Sequence, residues 1–355
     1  MDLETLSRRL GPDVLARPRV AVDAMGGDHG PAQVVPGALD HARAHPEDRV
    51  ILVGDEPTLR AVAGDLPANV SIVAASQVIG MDEHPALALR EKKDSSILVA
   101  MNLVKRGEAD AVVTAGHTGA GMAAAVLRLG RLPGVDRPAL AIQMITSTGP
   151  MVLLDIGANP DSTPENLVQY ARMGAIFAEC VLGVAQPRVA LLSIGEEKGK
   201  GDARIQRATE LLDASGLNFA GNVEGKDLTE HLADVVVCDA VLGNVVIKFF
   251  EGLSGFIFEL WRSEFERSLR GRLAYLLMRP GIGRIRGIFD YEKVGGSPLL
   301  GVRGTVIITH GRAKRRMMMF ACEVAATTAR TGVPALIAES LGASAAAPTT
   351  PAEAT

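Results

Sequence analysis

Short apolar runs that end in a glycine-bearing turn recur along the whole of this chain. Each run holds three or four residues, mostly Val, Ile, Leu and Ala, and a glycine with a polar neighbour follows within a few positions. The runs are 20–23, 50–53, 111–114, 152–155, 189–192, 235–237 and 306–309. Because both alternations within a run are apolar, we predict strands that are buried on both faces, which is typical of a parallel sheet.

Segments with helical character lie between these runs. Clear examples are 97–106, 120–130, 164–182 and 204–214. Strands that alternate with helices predict an α/β fold, namely a doubly wound, mostly parallel sheet sandwiched by helices. Ligands bind beyond the carboxyl ends of the strands in such sheets, so we expect all the glycine turns to lie on one rim.

The ends of the chain differ in character from its middle. Residues 1–18 carry mixed charge and no long apolar core, which indicates an N-terminal extension and not a signal peptide. Residues 19–341 are expected to form a single α/β catalytic domain, and 342–355, rich in Ala, Pro and Thr, a disordered tail. No apolar run reaches the roughly 18 residues of a spanning helix, which predicts a cytoplasmic protein, at most peripheral on the inner face of the membrane.

One long helical segment interrupts the alternation. Helical spacing of apolar residues continues over about 249–289 without a strand, and Pro280 is expected to break the segment into two helices. Between positions 262 and 286 there are seven arginines and only two acids. We predict a protruding basic amphipathic hairpin and leave three roles open: a dimer helix, a contact with an anionic membrane, or a dock for an acidic carrier protein.

Composition and absent motifs exclude several classes of function. The net charge of −4 disfavours a nucleic-acid binder. The three cysteines lie far apart, which indicates a reducing compartment and neither a disulfide framework nor a zinc site. The sequence has no P-loop, no dinucleotide fingerprint, no His-Glu-x-x-His and no Gly-x-Ser-x-Gly elbow. We therefore predict no metal and no cofactor.

Three segments carry groups suited to an anion. Residues 26–29 (GGDH) precede Pro31, a favoured first helical residue, and 116–119 (GHTG) lead into the helix at 120–130. Residues 92–96 (KKDSS) add two ammonium groups and two hydroxyls before another helix. Free N–H groups at helix starts, together with Lys and Ser, favour a phosphate ligand over a neutral one.

Aspartates and histidines that end the runs have two interpretations each. Asp23, Asp155 and Asp239 are either caps and loop anchors or a polar wall that orients substrate. A histidine in such a turn is a structural residue, a general base or an anion donor. The histidines in this position are His29, His117 and His310.

In order along the chain, these motifs resemble the bacterial phosphate acyltransferases, the acyl-carrier-protein:phosphate acyltransferases of the PlsX family. The most specific motif is 20–29 (VAVDAMGGDH). The others are 92–96, 115–120, 136–139, 154–159, 221–224, 234–239, 243–244, Lys248, 251–252, 295–296 and 310–311. The family usually has Asn at the position of His117 and an aromatic residue at that of Val241.

The resemblance implies a reaction, partners and a fold. Inorganic phosphate would attack the thioester of a long-chain acyl-carrier protein, and the acyl phosphate product would feed phospholipid synthesis. The implied fold is that of phosphotransacetylases and isocitrate-type dehydrogenases, and the implied assembly is a homodimer. Phosphate is a nucleophile at neutral pH, so the enzyme has mainly to position it and to stabilise the oxyanion.

From the residues and the resemblance together we assign candidate site residues. Catalytic roles are expected for His29, Lys92, Ser95, Ser96, His117 and Thr118. Substrate-binding roles are expected for Asp23, Gly26, Gly27, Asp28, Gly116, Gly119, Asp155, Gly157, Asn159, Asn222, Glu224, Asp239, Gly243, Asn244 and Lys248.

Three rival functions are weighed against this one. A short-chain acyl-CoA phosphotransacetylase has no evident use for a basic hairpin. A metal- and NAD-dependent decarboxylating dehydrogenase needs a cluster of aspartates on one helix, and no predicted helix has one. A non-catalytic membrane-surface scaffold would keep only the fold.

Overall fold

A mixed sheet of eleven strands forms the centre of the computed structural model, which describes residues 17–146, 148–288 and 290–345. The strands are β1 (Arg19–Asp23), β2 (Arg49–Gly54), β3 (Val70–Ala74), β4 (Ala111–Thr114), β5 (Ala139–Ile145), β6 (Pro150–Leu154), β7 (Val189–Leu192), β8 (Phe219–Val223), β9 (Val235–Val237), β10 (Ser297–Leu300) and β11 (Thr305–Ile308). All seven predicted strands are confirmed.

Helices cover both faces of this sheet. They are α1 (Pro31–Ala44), α2 (Glu56–Ala63), α3 (Pro85–Glu91), α4 (Ser96–Lys105), α5 (Thr118–Arg128), α6 (Pro164–Val181), α7 (Ala203–Asp213), α8 (Ala240–Glu266), α9 (Leu269–Ile288), α10 (Arg315–Arg330) and α11 (Val333–Ala345). The four example helices from the sequence are confirmed to within two residues at each end.

The strand order is β3-β2-β1-β4-β11-β10-β5-β6-β9-β7-β8. Seven of the ten pairings are parallel, and the three antiparallel ones, β11–β10, β10–β5 and β5–β6, lie together at the centre. The predicted doubly wound, mostly parallel sheet is confirmed. Its two parallel halves nevertheless run in opposite directions, which the repeated strand-and-turn pattern did not reveal.

Alternate residues of each inner strand enter different cores. In β1, Val20 and Val22 pack towards α1 and α10, whereas Ala21 packs towards α4 and α5. In β6, Leu154 packs towards α6, and Leu153 packs on the face that α8 crosses. Burial of both faces explains why these runs contain apolar residues at every position.

Four strands were not predicted, and their positions explain why. β3 and β8 are the two edges of the sheet, so their side chains are only partly buried and the sequences VSIVA and FAGNV are less apolar. β5 and β10 form the antiparallel centre. β10 begins with a serine and a proline, which the strand pattern does not favour.

The predicted hairpin is present as α8 and α9, but its break lies elsewhere. Pro280 lies within α9, and the chain turns at Arg267 and Ser268. Ser268 Oγ accepts a hydrogen bond from the Gly271 N–H at 3.0 Å and so caps α9. A Cβ on Gly271 would lie 2.7 Å from the Phe265 carbonyl oxygen, so glycine permits this tight crossing.

Two further expectations need correction. α8 is long and apolar enough to cross a membrane by length and composition, so the exclusion of any such segment from the sequence was too strict. α11 continues to Ala345, beyond the predicted start of the tail at 342. Residues 1–16 of the predicted extension and 346–355 of the predicted tail lie outside the described residues.

Gly243 of α8 packs so closely against the Asp155 backbone that a larger residue has no room there. A Cβ on Gly243 would lie 2.0 Å from the Asp155 carbonyl oxygen, whereas a Cβ on Gly252 in the same helix would meet nothing within 4 Å. We expect Gly243→Ala to lower the free energy of unfolding by about 3 kcal/mol. Gly252→Ala should raise it by up to about 1 kcal/mol, because alanine favours the helix. Urea unfolding of both variants measures this, and equal stability would contradict the close contact.

Candidate active site

The carboxyl ends of the strands lie on two opposite rims of the sheet, not on one. β1, β4, β11 and β5 run one way, and β6, β9, β7 and β8 run the other. We call the rim after β1 and β4 the first rim and the rim after β6 and β9 the second rim. The expectation of a single rim is therefore wrong, and the candidate residues divide between the two.

On the first rim, three turns pack through their glycines. A Cβ on Gly26 would lie 2.8 Å from the Gly116 backbone nitrogen. Gly27 has φ +89°, and its Cβ would lie 3.0 Å from the Gly311 carbonyl oxygen. That oxygen also accepts a hydrogen bond from the Asp28 N–H at 2.8 Å. The turns after β1, β4 and β11 thus form one unit, which we call the glycine cradle.

Asp23 is the buried anchor of the glycine cradle. Its Oδ2 accepts a 2.7 Å hydrogen bond from the Thr114 hydroxyl, which in turn accepts one from the Gly116 N–H. Burial raises the pKa of Asp23, and the nearby Ser96 and Thr114 hydroxyls oppose that rise. Its other oxygen, Oδ1, is buried and has no hydrogen-bond partner among the described residues. Asp23 therefore holds the cradle from beneath.

His117 caps α5. Its Nδ1 accepts hydrogen bonds from the Gly119 N–H at 3.0 Å and from the Ala120 N–H at 3.4 Å. A ring nitrogen that accepts in this way carries no proton, so in the neutral ring Nε2 carries it. The asparagine that the family usually has at this position is itself a favoured cap residue. Histidine therefore keeps the same capping role here. The geometry therefore gives His117 a structural role and leaves its Nε2–H as a possible donor.

The Lys92 ammonium group binds to a neighbouring loop. Its Nζ forms an ion pair with Glu83 and donates to the Val78 carbonyl oxygen at 2.7 Å. Hydrogen bonding from Lys92 lowers the pKa of Glu83. The same loop reaches the cradle, because a Cβ on Gly311 would lie 2.7 Å from the Met81 methyl group. Lys92 thus anchors the loop that lies over the glycine cradle.

The remaining first-rim candidates differ in exposure. Ser95 and Ser96 are buried at the start of α4, and Ser95 Oγ has no hydrogen-bond partner among the described residues. His29 and Thr118 are exposed. The N–H groups of Gly27, His117 and Thr118 donate no hydrogen bond to any described residue. Several backbone donors of the cradle are thus free for a ligand.

On the second rim, both oxygens of the Asp155 carboxylate accept hydrogen bonds from its own loop and from the start of β5. Oδ1 accepts from the N–H groups of Leu140, Gly157 and Ala158 at 2.9–3.1 Å. Oδ2 accepts from the backbone and side-chain nitrogens of Asn159 at 2.8 and 3.0 Å. Burial raises the pKa of Asp155, and these hydrogen bonds oppose the rise. These five hydrogen bonds, from four residues, make Asp155 a loop anchor.

The other second-rim candidates are also paired within the fold. Asp239 caps α8 through Oδ1 and forms a 2.8 Å ion pair with Arg204 through Oδ2. Asn222 accepts a hydrogen bond from Thr209, and Glu224 pairs with Lys226 at 2.8 Å. The second rim thus matches the capping interpretation of the aspartates.

A cleft of about 2500 Å³ opens beside the glycine cradle on the first rim. Its walls are the carboxyl end of β5, the hairpin α8–α9 and the turn after β11. α8 begins on the second rim at Asp239 and crosses one face of the sheet, so its third turn brings Lys248 into this cleft. Asn244 is exposed on α8 and is not part of the cleft wall.

The sequence analysis marked His310 as a strand-end histidine, but it did not place His310 or Arg312 between the cleft and the cradle. His310 and Arg312 line the cleft, and Gly311 between them contacts the cradle. The His310 Nδ1 accepts from the Arg312 N–H at 3.2 Å, so a neutral ring presents Nε2–H. The strand-end turn and the motif 310–311 were the signals in the sequence, and the strand order makes this turn the junction between cradle and cleft.

One cluster could hold a cation by distance alone. His45, Glu47 and Asp48 have ligand atoms within 4.8 Å of one another, and they lie between α1 and β2, on the edge opposite the glycine cradle. Asp48 already forms an ion pair with Arg330, and its Oδ2 lies 3.2 Å from His41 Nε2. The cluster is remote from the cleft and plays no part in the candidate site.

Comparison with known proteins agrees with this architecture. A model of the family described as "Fatty acid synthesis protein" matches residues 18–336. The phosphate acyltransferase of Desulfitobacterium hafniense (strain Y51) is 49% identical over 317 residues, 88% of this chain and 94% of that protein. The phosphate acyltransferase of Alkalilimnicola ehrlichii is 47% identical over 326 residues, 91% of this chain and 95% of that protein.

Solved structures define the fold. The EutD phosphotransacetylase from Staphylococcus aureus has a TM-score of 0.58 at 16% identity, covering 92% of this chain and 98% of its own. The 4-hydroxythreonine-4-phosphate dehydrogenase from Klebsiella pneumoniae has a TM-score of 0.52 at 13% identity, covering 88% and 99%. Identities this low show a shared fold only.

The fold thus places the protein in the α/β class that includes the phosphotransacetylases. Within that class, the family match and the identities above 45% over most of the chain decide the family. The chain belongs to the PlsX family of phosphate acyltransferases and is an acyltransferase.

The cap formed by His117 can be tested directly. We expect His117→Asn to change the free energy of unfolding by no more than about 0.5 kcal/mol, because Asn accepts the same backbone hydrogen bonds. His117→Ala should cost about 1 kcal/mol, because two N–H groups lose their acceptor. Urea unfolding at neutral pH measures both. An alanine variant as stable as the wild type would show that the cap contributes nothing.

Proposed function

We propose that this enzyme transfers a fatty acyl group from acyl-carrier protein to inorganic phosphate, and that the acyl phosphate serves phospholipid synthesis. One observation carries the proposal: the turn 310–312 belongs both to the glycine cradle and to the cleft wall. A small anion and a long organic chain can meet at such a junction. The proposed localisation is the cytoplasm.

The reaction balances without a further reagent. An oxygen of HPO₄²⁻ attacks the thioester carbonyl carbon, and a tetrahedral oxyanion forms. The carbon–sulfur bond then breaks, and the thiolate takes the proton that the phosphate brought. The products are the acyl phosphate dianion and the neutral thiol of the carrier. Binding, orientation and oxyanion stabilisation are therefore the tasks left to the protein.

Phosphate is proposed to bind at the glycine cradle. The free N–H groups of Gly27, His117 and Thr118 are suitable donors, and the start of α5 adds the positive end of a helix dipole. Ser96 lies beside Asp23 at the start of α4, and Ser95 precedes it as the N-cap residue. Lys92 is proposed to act indirectly, by holding the loop over the cradle through Glu83.

Lys248, Lys293 and Arg312 support a place for the acidic carrier. All three are exposed, line the cleft and have no ion-pair partner among the described residues. Exposed cations of one sign attract an acidic protein and speed its encounter. The carrier is therefore proposed to dock at this end of the cleft, so that its thioester reaches the cradle.

The function assay uses palmitoyl-carrier protein and phosphate. We expect free thiol to appear only when phosphate is present, with one acyl phosphate formed for each thiol. Replacing the donor with acetyl-CoA serves as the control for a short-chain phosphotransacetylase and should give far less product. Thiol release without phosphate, or none at all, would refute the proposal, and the second outcome would favour a non-catalytic scaffold.

The outer surface of the hairpin supports two further proposals. Val241, Val245 and Phe249 recur on one exposed face of α8, which suits packing against a second copy of the chain. On α9, Leu273 and Leu277 are 60% and 76% exposed among arginines. Exposed leucines among arginines suit peripheral contact with an anionic membrane through the hairpin 262–286.

The membrane proposal predicts a specific loss of binding. Replacing Leu273 and Leu277 with Glu should abolish binding to phosphatidylglycerol vesicles, because it removes the apolar contact and adds negative charge. Leu127→Glu on α5 is the matched control, since Leu127 is 68% exposed and remote from the hairpin. Co-sedimentation measures binding, and circular dichroism checks the fold. Unchanged binding of the double variant would exclude the hairpin as the membrane element.

A further inference from the structure

The inner face of α8 presents a line of aromatic residues to the cleft. The cleft-lining residues Phe250, Ser254, Phe258, Trp261 and Phe265 follow one another at intervals of four, four, three and four. This spacing places them on a single helical face. Ser254 interrupts the line with a small side chain, whose hydroxyl donates to the Phe250 carbonyl oxygen at 2.8 Å. The face is distinct from the outer one that carries Val241, Val245 and Phe249.

The aromatic surface continues from α8 to α9. The rings of Phe258 and Trp261 meet edge to face with centroids 5.7 Å apart. Phe265 contacts Tyr275 of α9 with centroids 5.6 Å apart. Leu276 lines the cleft beside them. The line of aromatic side chains thus extends along about fifteen residues of helix, roughly 22 Å at 1.5 Å per residue.

Charged residues occur along the whole cleft. Those beside the aromatic line include Glu259, Arg262 and Glu266, of which Arg262 and Glu266 form an ion pair at 2.9 Å. Lys248 lies within one turn of Phe250, and Lys293 and Arg312 line the cleft with it. Arg312 is next to Gly311, whose carbonyl oxygen holds the cradle. A ligand with an anionic or thioester head at the cradle and a long apolar chain along the aromatic line would fit this arrangement.

We propose that this cleft is the binding site for the acyl chain, with Ser254 as the residue that admits long chains past Phe250 and Phe258. The inference rests on the proposed function, because it assigns a place to the acyl group of that reaction. The chain occupies the aromatic inner face of α8 while its carboxyl carbon lies at the turn 310–312. Each methylene buried there raises the affinity by about fourfold.

The chain contains one tryptophan, Trp261, which makes binding observable without activity. A dibrominated stearate, added below its micelle concentration, should quench the fluorescence of Trp261 saturably. Unbrominated palmitate should reverse the quenching, and brominated acetate should cause none. The double variant L273E/L277E should quench like the wild type, because neither leucine lines the cleft. Absent or non-saturable quenching, or its loss in the double variant, would overturn the proposal.

Filling the site should change the preference for chain length. Ser254→Phe should lower the ratio of kcat/KM for palmitoyl-carrier over octanoyl-carrier by about tenfold or more, through lost methylene contacts. Leu253→Phe is the matched control, because Leu253 is 40% exposed and outside the cleft wall. The palmitoyl-to-octanoyl ratio of kcat/KM in this variant should stay within about twofold of the wild-type ratio. An unchanged ratio in Ser254→Phe would overturn the assignment.

The proposed function and the proposed chain site can fail separately. Phosphate-dependent thiol release by the wild type, combined with an unchanged ratio and no quenching, would leave the function standing and refute the site. Quenching of Trp261 without phosphate-dependent thiol release would support a fatty-acyl site and refute the reaction.

Discussion

The antiparallel pairing of β10 with β11 and β5 is the constraint on which the rest of the structure depends. It reverses the strand direction at the centre, and so it sends the carboxyl ends of the two parallel halves to opposite rims. The first rim receives the glycine cradle and the open end of β5, and the second receives the Asp155 loop and the start of α8. The cleft exists because α8 crosses from the second rim to the first.

Buried carboxylates stabilise this arrangement in two different ways. Asp155 satisfies both oxygens with five hydrogen bonds from its own loop and from the start of β5. Asp23 uses one oxygen to hold Thr114 and leaves the other without a partner. Burial raises the pKa of both, because a charge is costly to remove from water. The first rim therefore keeps one buried carboxylate oxygen without a partner, whereas the carboxylate of Asp155 on the second rim is fully hydrogen-bonded.

The candidate residues were better predicted by type than by role. His117 and Lys92 lie at the first rim as expected, yet their polar atoms are held by the backbone of α5 and by Glu83. Asp155 and Asp239 are anchors, which the sequence had left open. Sequence shows that a polar group follows a strand, but its role depends on which donors surround it. His310 became a cleft residue only through the position of β11.

The sequence by itself determined the inner strands, most of the helices and the family. Burial on both faces and glycine turns produce residue patterns that can be recognised within a few consecutive positions. It did not reveal the edge strands, whose partial burial weakens the apolar pattern, nor the turn at Ser268, where a side-chain cap outweighs the effect of Pro280. Only the tertiary structure decided the two rims and the aromatic cleft. Strand direction and helix crossing arise from contacts between residues far apart in sequence, which no local pattern contains.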